Sequence, residues 1–268
     1  MASLLTGNTP AKEWLEQERL RMRIERRFNA RWRQEIERAS REMLAEAMDS
    51  QGAAPGAPVR FVADLRDVYE AETLVAVRAF GGRLLEPGKG WKALETKDFA
   101  EFFMRLASEY VANEAIRQRI VAVAETTRLH IVRMLARGQE AGEPLDAIAR
   151  GITRSIPRIS RIRAATIART ETHGAANYGA HHAAMATGLR LQRQWIAVQD
   201  HRTRDFREPD ISDFSHRAIN GQTVSQDQPF QVPRLFGGSE PMMFPGDPEG
   251  SPGNVINCRC AQGHVIEE

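Results

Sequence analysis

Cys258 and Cys260 are the only cysteines in a chain of 268 residues, and one arginine separates them. A disulfide between such near neighbours would close a strained ring, because bridged Cα atoms usually sit about 5.5 Å apart. A disulfide framework is thereby excluded. Two chemistries remain. On a strand both thiols project to one face, where His264 or His216 could join them as the soft and borderline ligands of a tetrahedral zinc site. Standard zinc sites space their cysteines more widely, so two buried, reduced thiols packed beside Trp195 are the alternative that suits this spacing.

Other polar groups are grouped as well. Arg169 and His173 lie four apart and share a helix face, with Glu171 pointing roughly the other way. Arginine suits a buried ion pair because its planar fork can grip a carboxylate with two bonds. Asp200, at the end of an expected strand carrying Trp195, is the partner this reading assigns to Arg169. Asp200-His201-Arg202-Thr203-Arg204 reads as a turn leaving that strand, with the aspartate capping local amides. His181 and His182 point in different directions on a helix and cannot form one ligand face.

A small metal-dependent nuclease can be assembled on paper from Asp200, His216, Asn220 and a metal held by Cys258 and Cys260. The spacing matches no nuclease motif. An activated thiol at Cys258 fares no better, since neither His216 nor His264 stands in a recognisable nucleophile setting. The expectation is a protein without catalytic residues and without a required cofactor, zinc being the one ion its residues could take.

Net charge is only +2, yet the cations are clustered. Residues 19 to 33 hold seven arginines and one glutamate, and residues 150 to 169 hold six arginines and no acid. Such patches could neutralise phosphates of double-stranded DNA without reading sequence. A uniformly cationic DNA-coating protein is excluded by the overall balance. No apolar run is long enough for a bilayer and no signal-peptide pattern opens the chain, so a cytosolic protein without membrane contact is expected.

These groups need elements to position them. Residues 11 to 49 read as one long helix, with Ile24, Phe28, Trp32 and Ile36 every fourth position and Met43 a heptad on. Arg19, Arg23, Arg26 and Arg33 fall on its other side. The aromatic stripe, Phe28 and Trp32 included, serves either as core or as the docking face of an arm whose arginines meet nucleic acid or an acidic partner. Gln51 to Pro58 is a Gly, Ala and Pro linker. Helices are expected over 59–80, 97–111 and 116–138, with a loop at Pro87, Gly88 and Gly90 between the first two. A short helix opens at Pro144 and a further one, opening at Pro157, runs to about Gly188. Its second half, rich in glycine and alanine from Gly174 to Ala184, lets another element approach closely. Strands are expected at Trp195–Val198, Gly221–Val224, Val255–Ile256 and His264–Ile266. Long loops fill the stretch between Asp205 and Pro252, of the kind that are usually functional or interface-forming. The class is α+β. Residues 1–56 form a helical arm and linker, 57–112 a helical region, and 113–268 a domain of helices packed on a small sheet.

In order, Arg169-Thr170-Glu171, Trp195, Asp200 to Arg204, His216 with Asn220-Gly221, Pro245-Gly246-Asp247-Pro248 and Asn257-Cys258-Arg259-Cys260 resemble the phage Mu F-like head morphogenesis family. The resemblance covers roughly residues 113 to 268. One departure is a longer segment between Arg204 and His216, read as a loop insertion. The resemblance implies a minor head, or minor capsid, protein of a tailed bacteriophage. Such a protein associates with the portal vertex, contacts portal and major capsid or scaffold protein, and assists head morphogenesis, DNA packaging and DNA ejection. It implies a virion location, in the head interior or at the portal vertex, after assembly in the host cytoplasm.

Overall fold

A computed structural model of the chain describes residues 6–56, 59–85, 96–198, 200–206 and 212–266. The fold is α+β. Its helices are α1 (Pro10–Asp49), α2 (Val59–Gly82), α3 (Thr96–Ala112), α4 (Glu114–Glu140), α5 (Leu145–Ala186) and the short α6 (Pro252–Val255). Its strands are β1 (Leu191–Ile196), β2 (Thr223–Ser225), β3 (Phe230–Pro233), β4 (Ser239–Met242) and β5 (Ala261–Ile266). The sequence-expected loop at Pro87, Gly88 and Gly90 lies outside the described residues.

The described chain forms two compact units that interleave in sequence rather than following one another: residues Arg26–Ala71 with Val111–Ala168, and Met1–Glu25 with Glu72–Tyr110 and Arg169–Glu268. The limits fall inside long helices, which is why composition shifts and linkers did not mark them.

The first of these units is all helical. The stripe on α1 is core: Phe28 is 1% exposed and Trp32, Ile36 and Met43 are fully buried, while Ile24, 4% exposed, continues the stripe on the part of α1 that belongs to the other unit. Trp32 meets Tyr69 of α2 edge-on, with ring centroids 4.9 Å apart at 89°, a favoured aromatic geometry. This corrects one sequence reading: Phe28 and Trp32 belong to the interior and are not a free docking stripe. Arg19, Arg23, Arg26 and Arg33 are exposed, as the helical arithmetic requires. Asn113 caps α4, its side-chain oxygen accepting from the amides of Ala115 and Ile116, which satisfies two otherwise orphaned donors. Where α4 meets α5, a Cβ on Gly138 would lie 2.5 Å from Ile148, so only glycine lets the two helices come so close.

Helix α5 is a second correction. Pro144 and Pro157 suggested two separate helices, but one helix of 42 residues runs through Pro157. Proline removes one backbone hydrogen bond. Ile152, Ile156, Ser160, Ala164 and Ala168 nevertheless form an unbroken buried stripe across it, and burial of that stripe outweighs the local break.

In the other unit, the glycine and alanine run does what its smoothness suggested. A Cβ on Gly179 would lie 2.6 Å from the Val77 Cα and 2.7 Å from its carbonyl oxygen, so α5 and α2 touch backbone to backbone. Beside them stands a three-stranded antiparallel sheet, β2-β1-β5, in which Trp195 pairs with Gln262 and Ile196 with Ala261. A hairpin, β3-β4, stands apart from it. That hairpin was read as loop, because Phe230–Pro233 and Ser239–Met242 are four residues each and prolines sit in both. Conversely Val255–Ile256, expected as a strand, is the end of α6 and its turn.

If the aromatic face of α1 is core, Trp32→Ala should lower unfolding free energy by about 3–5 kcal/mol, while Arg33→Ala should change it by less than about 0.5 kcal/mol. Urea denaturation of the two variants checks this. Equal, small effects would mean that the stripe is not buried.

Candidate functional site

The thiols do not sit on a strand. Cys258, Arg259 and Cys260 form the extended segment between α6 and β5, and both cysteines are buried and free. Their sulfurs face one imidazole: His216 Nδ1 lies 3.6 Å from Cys258 Sγ and 3.4 Å from Cys260 Sγ. Trp195 packs edge-on against His216, 5.1 Å between centroids, and also interacts with the Cys260 thiol. Phe214, Ile219, Phe230, Val232, Met242 and Val255 enclose this knot in one apolar cluster.

The other ring nitrogen of His216 is spoken for. His216 Nε2 hydrogen-bonds Asn254 Oδ1. Asn254 Nδ2 donates to Glu240 Oε1 at 3.2 Å, the Ser251 amide donates to the same oxygen at 2.7 Å, and Arg234 holds the other carboxylate oxygen at 2.9 Å. Asn254 is fully buried. Because an amide oxygen accepts, Nε2 carries a proton, and Nδ1 is the ring nitrogen that faces the sulfurs.

The two thiols differ. Burial alone would raise Cys258, but the hydrogen bond from Cys260 and the nearby His173 and His216 bring it well below the usual thiol range. Burial and the neighbouring Cys258 push Cys260 up. Among the described residues, the group of histidine, cysteine and acidic side chains able to share an ion is His216, Cys258 and Cys260. His264, the other sequence candidate, is not in it. His264 faces Gln262, 2.8 Å away, in the middle of β5, four residues and so roughly 13 Å along an extended chain from Cys260.

The ion pair expected between Arg169 and Asp200 does not form. Arg169 reaches Glu25 Oε1 at 3.3 Å and Asn257 Oδ1 at 3.1 Å. Asp200 pairs instead with Arg259, the residue between the cysteines, and accepts the Arg202 amide at 3.0 Å. The hydrogen bond from Arg259 first, and its charge, hold the Asp200 carboxyl down at about 2. Arg259 was read only as a spacer, yet it anchors both sides: its carbonyl accepts Trp14 Nε1 at 2.8 Å.

The remaining landmarks brace loops. Arg204 donates to the carbonyls of Gly253 and Ile256. Asp247 accepts the amides of Met243 at 2.7 Å and Glu249 at 3.1 Å. Gly221 takes a positive φ of 82° and donates its amide to Trp195 O at 2.8 Å. Asn257 stands at φ 59°, a region asparagine tolerates better than most residues, and its amide reaches Thr170 Oγ1 at 3.2 Å. Glu171 is buried in α5.

Sequence reasoning missed Arg193. It is fully buried on β1 and donates to the carbonyls of Met243, Ser225 and Gln228, with its guanidinium over the Phe230 ring at 5.3 Å. Burial lowers it to about 10, so it stays charged at neutral pH. An arginine in an alternating strand pattern looks exposed, and no local signal says otherwise.

Arg193→Met should remove about 3 kcal/mol of stability, since each buried carbonyl left without a donor costs about 1–3 kcal/mol; a chemical-denaturation midpoint within error of the parent would contradict the bracing role. A pH dependence follows from two buried histidines. Burial holds His181 down at about 2 and His264 at about 3, below the unfolded value of about 6.5. Below pH 6.5 the unfolded chain gains protons that the folded one refuses, so this contribution is complete above 6.5 and is lost as pH falls toward 3. Thermal melts from pH 7.5 to 4 should show a falling midpoint, and His264→Gln should flatten the decline.

The model of the family described as Phage Mu protein F like protein matches residues 129–263, from α4 to β5. A curated relative, the uncharacterized protein YqbB of Bacillus subtilis (strain 168), is 24% identical over 212 residues, which are 75% of this chain and 66% of that protein. The match thus spans just under two thirds of the relative's length. No solved structure matches. With half of its length covered by the family model, and with that segment carrying both the brace residues and the cysteine knot, this chain belongs to the Phage Mu F-like family and is a bacteriophage head-related protein.

Proposed function

We propose that this chain is a minor head protein of a tailed phage, built in few copies into the head at the portal vertex, where it assists head morphogenesis and the packaging or delivery of DNA. It acts as a building part rather than as an enzyme. The observation that carries this reading is the use of the polar landmarks in the matched segment. Arg169, Asp200, Arg204, His216 and Asp247 bond to side chains or loop backbone of their own unit. Groups committed in this way fix loops in place instead of presenting a base and a phosphate clamp to a substrate.

Its partners in this reading are the portal protein and the major capsid or scaffold protein. The exposed arginines of α1, with those of residues 150 to 169, are the surface offered. A groove of about 870 Å3 on the helical unit is lined by Arg26, Arg33, Arg41 and Arg161 together with Glu37 and Glu42. Arg33 pairs with Glu37 at 2.7 Å, and Arg38 with Glu35 and Glu42 at 3.0 and 2.6 Å. A face of alternating sign suits a protein partner, while nonspecific double-stranded DNA contact is a secondary property of the same arginines.

Particles of a phage carrying this protein test the proposal. Purified heads should contain it in substoichiometric amounts relative to the major capsid protein, and its removal should yield heads defective in DNA content or infectivity. Charge reversal at Arg19, Arg23 and Arg26 should reduce incorporation several-fold with an unchanged melting midpoint. Normal infectious particles lacking the protein would overturn the reading; turnover of nucleic acid by the purified protein, abolished by His216→Ala, would favour a nuclease.

A further inference from the structure

We propose that His216 Nδ1, Cys258 Sγ and Cys260 Sγ are the protein ligands of a structural zinc ion that ties the segment after α6 to the loop carrying His216. The first argument is distance. Tetrahedral zinc, with bonds of about 2.3 Å to sulfur and 2.0–2.1 Å to nitrogen, sets its sulfur and nitrogen ligands about 3.6 Å apart. The two separations here are 3.6 and 3.4 Å, and all three ligand atoms lie within 4.8 Å of one another.

The second argument is the direction of the imidazole. A zinc-bound histidine donates its other N–H to an oxygen acceptor that fixes ring and tautomer. His216 does so through Nε2 to Asn254, whose own amide is fixed by Glu240, itself held by the Ser251 amide and Arg234. This support runs from the half-exposed Arg234 to one imidazole, whose Nδ1 lies 3.6 and 3.4 Å from the two sulfurs. Thiol S–H groups are weak donors, so satisfying them does not require so elaborate a support.

The third argument is chemical selection. Two thiolates and one imidazole favour zinc over calcium or magnesium, which take oxygen ligands. The alternative fate of adjacent cysteines, a disulfide, is closed by their one-residue separation. Three protein ligands leave the fourth tetrahedral position for a water, within an enclosure of apolar side chains. This inference is independent of the head-assembly reading.

Full-length protein, purified under reducing conditions without chelator, should contain about one zinc per chain by elemental analysis. Replacing zinc by cobalt should give the intense visible bands and thiolate charge-transfer absorption of a tetrahedral sulfur site. Both signals should vanish in Cys258→Ser/Cys260→Ser. Because that variant also alters two buried core side chains, Asn254→Ala provides a second arm: it keeps all three ligands and should weaken zinc about 10- to 100-fold in a chelator competition. Wild-type protein that takes up neither zinc nor cobalt when supplied in excess, with an unshifted melting midpoint, would overturn the proposal.

Discussion

Backbone polar groups in the loops between α5 and β5 set the terms for the rest of this structure. Buried amides and carbonyls must find partners, and five short strands cannot supply them over the roughly eighty residues from Gly188 to Ile266. Side chains take over. Arg193 gathers three carbonyls, Arg204 two, and Asn177 those of His173 and Pro245. Asp247 and Glu240 collect amides, and Asn220 receives that of Ala197 at 2.8 Å. Each is a polar group in a low-dielectric setting, where a satisfied network is rigid and a broken one is expensive.

That constraint explains why the family-like residues are scattered along the sequence. They serve as braces, each tying a loop to a neighbouring segment. Asp200 and Arg259 join the turn after β1 to the approach of β5, and Arg259 also receives Trp14 from α1. Residues near the start of the chain are therefore structural members of the unit containing the cysteines, with Gln17 Nε2 bonded to Gln262 O at 2.9 Å. The first stretch of the expected arm, up to Glu25, thus shares a unit with the segment from Arg169 onward.

The helices were legible to within two residues at most of their ends, because burial every third or fourth position leaves a period that survives in one sequence. The exposure of Arg19, Arg23, Arg26 and Arg33 followed from the same arithmetic. Pro157 misled, since a local propensity was judged without the buried stripe that overrides it. Short strands were half legible: β1, β2 and β5 came close to their expected places, while the proline-containing hairpin hid among turn residues. At the site, Cys258, Cys260 and His216 were chosen by residue type. His173 was noted only as the helix-face neighbour of Arg169, and Asn254 and Arg193 escaped notice, because nothing in their neighbours marks a polar residue as buried.

Sequence by itself determined the helical periods, the cluster of cations, the impossibility of a disulfide between Cys258 and Cys260, and the order of landmarks that leads to the family. Those are properties of residue type and spacing along one chain. Tertiary structure decided what each group faces: that Phe28 and Trp32 look inward, that Asp200 meets Arg259 rather than Arg169, and that His216 rather than His264 turns a ring nitrogen to the thiols. Partners 26 to 245 residues apart, such as Arg38 with Asp64 and Trp14 with Arg259, leave no periodic trace, because such pairing is fixed by packing and by the demand that buried polar groups be satisfied.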